Sequence, residues 1–234
     1  MKIAIMQPYI FPYIGYFQLI ASVDKFIFYD DVAYIKNGWI NRNRILVEKK
    51  EHLFTFPVKN GSCNTKINRV ELDKFNNVAK KILKTIEQSY RKAPYFDHVY
   101  PVINNVLSGE YNVISDLAKA SILAINDYVS LKPDVVISSN IYKNDHLSSQ
   151  ERVIDINLIE KSTAYINSDG GRILYSHDSF KSNNIDLMFI KASIHEYQQH
   201  PNMSFVPSLS IIDVLMFNDV ETVINRLHGI ELTR

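Results

Sequence analysis

The sequence predicts an α/β protein: a largely parallel sheet with flanking helices, plus a mainly helical middle segment. Three observations predict it. Short apolar runs rich in β-branched and aromatic residues occupy residues 2–6, 25–29, 134–137, 164–167 and 185–190, most of them running into polar or turn-forming residues. Helical patterns separate most of these runs, and that alternation lays strands side by side in parallel. Between about residues 74 and 130 the apolar positions recur at helical spacing instead.

Taken in order, residues 2–6 read as a short buried strand that must leave the sheet at Pro8, which has no amide hydrogen for a ladder. Residues 7–17 follow as a loop dense in proline and tyrosine. Gly15 there permits close backbone approach where a helix over 16–22 begins. Residues 25–29 form the second strand and end at Asp30 and Asp31; parallel pairing with the first strand brings that acidic pair and the Gln7 loop to one sheet edge. Residues 44–47 and 53–58 suggest a hairpin.

From Phe75, the positions Val78, Ala79, Ile82, Leu83, Ile86 and Tyr90 share one helical face, with lysines opposite and Pro94 as the stop. Two more helical patterns run over about 97–107 and 113–129, ended by Pro133. Ser148 and Glu151 form a capping-box pattern for a helix reaching about Lys161. The strand at 164–167 leads into a Ser168-Asp169-Gly170-Gly171 loop, then a helix through Tyr175 and Phe180 and the strand at 185–190. Ser210 suits the cap of a closing helix that carries Ile211, Ile212, Val214, Leu215 and Phe217, and Asp213 would favour its positive end or, if buried, take a polar task. The whole chain, 1–234, reads as a single α/β domain with a helical sub-region at about 74–130.

At 234 residues and 46% hydrophobic content the chain can bury a sizeable core. Its 26 basic and 25 acidic residues nearly cancel, so no overall field gathers nucleic acid or anionic membrane. Cys63 is the single cysteine, which excludes an intrachain disulfide and a cysteine-based zinc cluster. Gln7, Pro8 and Pro12 interrupt any signal-like apolar start, and no stretch approaches the ~20 apolar residues of a membrane span. The chain therefore reads as soluble and cytoplasmic. Seven scattered histidines form no HExxH or HxH array, and GxSxG, GxGxxG and Walker loops are absent. No metal and no tightly bound cofactor is expected.

What remains are loops at the strand ends: residues 7–16, 30–44 and 168–175, with Ser138 and Ser139 as a fourth element. They are expected to converge on one hollow. Gln7, Asn41 and Ser139 offer neutral polar groups for sugar hydroxyls; Tyr9, Tyr16 and Trp39 offer stacking faces; Lys36, Arg42 and Arg44 offer partners for phosphate. Gly170 and Gly171 offer exposed amides where an anion could rest, with Tyr175 closing that loop. Adjacent carboxylates on a strand end point to opposite sides, so at most one of Asp30 and Asp31 faces the hollow, as a candidate base.

The combined pattern resembles the WbqC-like family. The segments that carry the resemblance are Gln7-Pro8-Tyr9 through Gly15-Tyr16-Phe17, Tyr29-Asp30-Asp31, Gly38-Trp39-Ile40-Asn41-Arg42-Asn43, Lys92-Ala93-Pro94-Tyr95-Phe96, Ser138-Ser139, Glu151-Arg152, Tyr165-Ile166-Asn167 with Gly170-Gly171, and Pro207-Ser208-Leu209-Ser210-Ile211-Ile212-Asp213. The resemblance implies a role in bacterial O-antigen and surface-polysaccharide (lipopolysaccharide) biosynthesis. The activity it implies is an acyltransferase acting on a nucleotide-linked amino sugar, with acetyl-CoA or another acyl-CoA as co-substrate. A non-catalytic sugar-nucleotide binding protein, or a transferase using another activated donor, are the alternatives. The amino-terminal layout is also similar to the nucleotidyltransferase-like fold, but its loop lacks that group's histidine motif.

Overall fold

A computed structural model describes all residues, 1–234. Six strands form one sheet: β1 (Lys2–Met6), β2 (Lys25–Phe28), β5 (Asp134–Val136), β6 (Ala164–Ser168), β7 (Asp186–Ile190) and β8 (Leu232–Thr233), in the order β5-β2-β1-β6-β7-β8. Every pairing is parallel except β7 with β8. The expected pairing of the first two strands holds, with Ile3 opposite Lys25 and Met6 opposite Phe28.

Alternation along the strands divides the core between the two faces. Ala4, Phe26, Phe28 and Ile166 belong to a cluster of 45 buried residues, while Ile3, Ile5, Ile27 and Tyr165 belong to one of 11. The larger cluster lies under α1 (Ile14–Ala21) and the helical middle segment, formed by α2 (Phe75–Tyr90), α3 (Phe96–Leu107) and α4 (Ile114–Tyr128). The smaller is covered by α5 (Ser149–Ile159) and by Phe180 of the short α6 (His177–Lys181). The hairpin of β3 (Arg42–Val47) and β4 (Lys50–Thr55) stands apart as its own antiparallel pair and sends Ile45, Leu46 and Phe54 into the larger cluster.

Two local expectations are corrected. Ser148 makes no side-chain cap on α5, so the capping box does not form. The Gly170-Gly171 pair lies inside a 3-10 turn, Asp169–Leu174, rather than ahead of an α-helix, and Gly171 is buried. The expected helix carrying Ile211 to Phe217 forms, and a further helix follows it. Here α7 (Ile211–Phe217) ends at Asn218, whose backbone is extended, and Asp219 caps α8 (Val220–Leu227) by accepting from the Thr222 amide at 2.7 Å. Ser210 does cap α7, accepting from the Ile212 amide at 3.3 Å.

Candidate functional site

The loop after β1 is held from several directions. Phe11 sits at φ 40°, a left-handed conformation costly for a side-chain-bearing residue, so its surroundings must fix it. Its amide donates to Ser121 Oγ at 2.9 Å, and its carbonyl accepts from Asn43 Nδ2 at 2.6 Å and Ser210 Oγ at 2.7 Å. Asn43 also reaches the Ile10 carbonyl at 3.1 Å. Gly15 is required by space: a Cβ there would stand 2.4 Å from the Tyr13 ring and 2.6 Å from Ala192 Cβ.

That scaffold opens a hollow of about 520 Å³ at the carboxyl end of β1. Gln7, Tyr9 and Trp39 line it, as expected, together with Asn43, Arg44 and Ser208. Trp39 is 47% exposed, a large indole kept at the surface instead of in the core. The Arg44 and Arg42 guanidinium carbons lie 5.3 and 5.9 Å from its ring centre, one cation–π stack. Arg44 also donates to Glu51 at 2.6 Å and to the Ser208 carbonyl at 3.3 Å. Burial pushes the Tyr9 phenol well above its ordinary pKa, so it stays a neutral hydroxyl.

Other expected members lie elsewhere. Tyr16 is buried beneath the hollow, donating to the Gln7 carbonyl at 3.1 Å, so its ring offers a ligand nothing. Asn41 is buried between Tyr34 and the Phe56 carbonyl. Arg42 donates to the Gly38 carbonyl at 2.8 Å, within cation–π distance of Trp39, and does not line the wall; Lys36 is exposed on the same loop and does not line it either. Arg44 is the cation of the hollow. Gly170, Gly171 and Tyr175 cluster beyond β6, where Tyr175 packs edge-on against Tyr165 and Phe180. The strand-end loops thus build separate features, because β2 and β6 lie on opposite sides of β1.

Asp30 and Asp31 point to opposite sides, and both are engaged. Lys119 Nζ donates to Asp30 Oδ2 at 3.0 Å and Ser138 Oγ to Oδ1 at 2.6 Å. Arg152 Nη2 bridges both oxygens of Asp31, at 2.7 and 2.6 Å, and Ser139 donates to Oδ1. The two aspartates are 1% and 2% exposed and neither lines the β1 hollow, which corrects their expected placement as its base. Ser139 belongs to this cluster too, not to a sugar subsite.

Asp213 takes the polar role that burial gives it. It is fully buried and accepts from Tyr197 at 2.7 Å, Tyr90 at 2.8 Å and Gln199 at 2.9 Å. Burial raises its pKa, while those donors pull it down. Tyr90 also accepts from the Leu46 amide at 2.9 Å, so one carboxylate ties α2, β3 and the irregular stretch 191–210 that delivers Ser208. A wider, polar groove of about 940 Å³ lies at the start of α2, away from the strand ends, and lacks an exposed aromatic face comparable to Trp39.

These features define an α/β protein of the parallel-sheet type with a candidate small-molecule hollow where a strand meets its loop. The chain belongs to the WbqC-like protein family, whose model matches residues 7–225. It is similar to an uncharacterized protein of Mycobacterium tuberculosis, Rv1507c, with 29% identity over 224 residues, 93% of each chain. No solved structure matches it. No helix is long and apolar enough to cross a membrane.

Proposed function

We propose that the β1 hollow binds a nucleotide-linked amino sugar during bacterial surface-polysaccharide (O-antigen) assembly, and that the chain transfers an acyl group from an acyl-CoA to the sugar's amine. The observation that carries the reading is Trp39: a half-exposed indole, backed by Arg42 and Arg44, beside Gln7, Tyr9 and Asn43. A stacked planar base or sugar face, a cation for phosphate and neutral groups for hydroxyls are what such a ligand needs. In the transfer the amine nitrogen attacks the thioester carbonyl, the carbon–sulfur bond breaks, and the coenzyme leaves as a thiolate that takes up the amine's proton.

One observation favours a second reading, binding without turnover. No carboxylate or imidazole lines the hollow, and Asp30 and Asp31 are held in ion pairs. The two readings separate in one experiment: a panel of nucleotide-linked amino sugars titrated by calorimetry, then incubated with acetyl-CoA while free thiol and product mass are followed. Heat together with thiol release supports transfer. Heat without thiol supports the binding protein, and no heat with any member rejects both.

A further inference from the structure

The family-like Glu151-Arg152 segment has no part in the β1 hollow. Arg152 lies instead in the first turn of α5, 4% exposed, and reaches a second cavity of about 300 Å³ on the other flank of the loop that leaves β2. Two of its three nitrogens are committed. Nε donates to Asn144 at 2.9 Å, Nη2 spans Asp31, and Asn144 is itself anchored to Asp155 at 2.7 Å. Nη1 hydrogen-bonds nothing in the chain, yet it is not sealed from solvent. A guanidinium fixed at two corners therefore presents its third to the cavity with no rotamer freedom left to lose.

The surroundings match that donor. The Arg152 guanidinium lies 5.0 Å over the Tyr29 ring and is also the polar neighbour of the Tyr29 hydroxyl: burial pushes that phenol's pKa up, and the guanidinium pulls it down. Lys66 lines the same space, held only by Asp145 at 2.5 Å in a pair whose partners are 31% and 51% exposed, a pair of small worth in water. Ser149, at the amino end of α5 that has no side-chain cap, lines the same space. Arg152 and Asp31 offset one another in charge, so Arg152 contributes a directed donor and the net positive charge for an anion comes from Lys66.

We propose that this cavity is a phosphoryl-binding site in which Arg152 Nη1, the Tyr29 hydroxyl and Lys66 hold the oxygens of a phosphate group. Lys66 exchanges its Asp145 partner for the ligand. The site stands independently of the β1 hollow, since no residue lines both.

Cys63, the chain's single thiol, is exposed and lines this cavity, so occupancy can be read from its alkylation rate. Inorganic phosphate and pyrophosphate are each titrated against iodoacetamide labelling of the full chain, with sodium chloride at matched ionic strength as the control. Saturable protection by either phosphate is expected. Tyr29→Phe removes a hydroxyl whose polar neighbour in the chain is the Arg152 guanidinium; it should raise the half-protecting concentration about tenfold while changing Tm little. Asp145→Asn releases Lys66 and should lower that concentration. Protection no greater than with chloride overturns the proposal, as do folded Tyr29→Phe and Asp145→Asn proteins that behave like the parent. Trp39→Ala should retain full protection; losing it would place the anion in the β1 hollow and overturn the assignment.

Discussion

The β1 hollow and the acidic cluster at the end of β2 are one strand apart, yet they use polar side chains in opposite ways. At β2 the charges face one another: Asp30 with Lys119 and Asp31 with Arg152, all at most 10% exposed. At β1 the cations stack on an exposed indole, and Arg44 makes its ion pair with Glu51 at the surface. A buried charge without a partner is costly, so the first arrangement constrains the fold; a partly solvated one tolerates change, so the second is open to selection for a ligand. A strand-end carboxylate can brace the fold, as Asp31 does, while the arginine paired with it keeps one nitrogen for a ligand.

The largest expected effect is at Arg152. Arg152→Ala leaves Asp31 buried with only Ser139 to meet it, and should cost about 3–5 kcal/mol in a denaturant melt. If the loss is under about 1 kcal/mol, the β2 cluster is not a structural brace. Next is Asn43, which belongs to both regions' logic: it lines the hollow, and its amide also holds the Ile10 and Phe11 carbonyls. Asn43→Ala should cost about 2 kcal/mol and loosen the left-handed turn at Phe11, weakening any ligand of the hollow through shape.

Trp39→Ala sharpens the contrast from the other side. A buried aromatic truncation costs roughly 3–5 kcal/mol, but Trp39 is 47% exposed, so a stability loss of about 1 kcal/mol is expected. Calorimetric affinity for a nucleotide-linked amino sugar should nevertheless fall about tenfold or more, the loss of a stacking face. A large stability loss with unchanged affinity would make the indole a packing residue.

How far the sequence carried this division follows from the range of the interactions. The strands were readable because Ile3, Ile5, Phe26 and Ile27 are apolar in short runs, a local signal. Gln7, Tyr9 and Trp39 were readable as members of the hollow because each sits beside a turn or strand end. The pairing of Asp31 with Arg152 spans 121 residues, and nothing local at either position distinguishes a brace from a base. Ser208 was equally hidden, since the 191–210 stretch that places it has no regular structure and is held instead by Gln18, Gln199 and Asp213. The helix after Asn218 has only a short local mark in the sequence, Asp219 with Thr222 at its start.

The smallest expected effect lies behind the hollow, at His200. Its ring rests against Tyr90 and Phe217, and burial holds its pKa below the ordinary 6.5, a shift that the nearby Asp213 carboxylate partly offsets. In the unfolded chain the imidazole binds its proton first as pH falls. His200 therefore contributes stability that is present above about 6.5 and lost as pH drops through its lower folded value. Asp213 acts in the opposite sense: its raised folded pKa gives stability that is present in acid and lost as pH rises through that value. Melting temperature measured against pH for the parent and for His200→Gln should separate the two. The parent should lose stability relative to the variant below about pH 6.5, by on the order of 1–2 °C, and the curves should run parallel above it. Parallel curves throughout would mean that His200 is solvated in the folded chain, and that the stretch carrying Ser208 is packed less closely on α2 than the Tyr90–Asp213–Tyr197 bonds require.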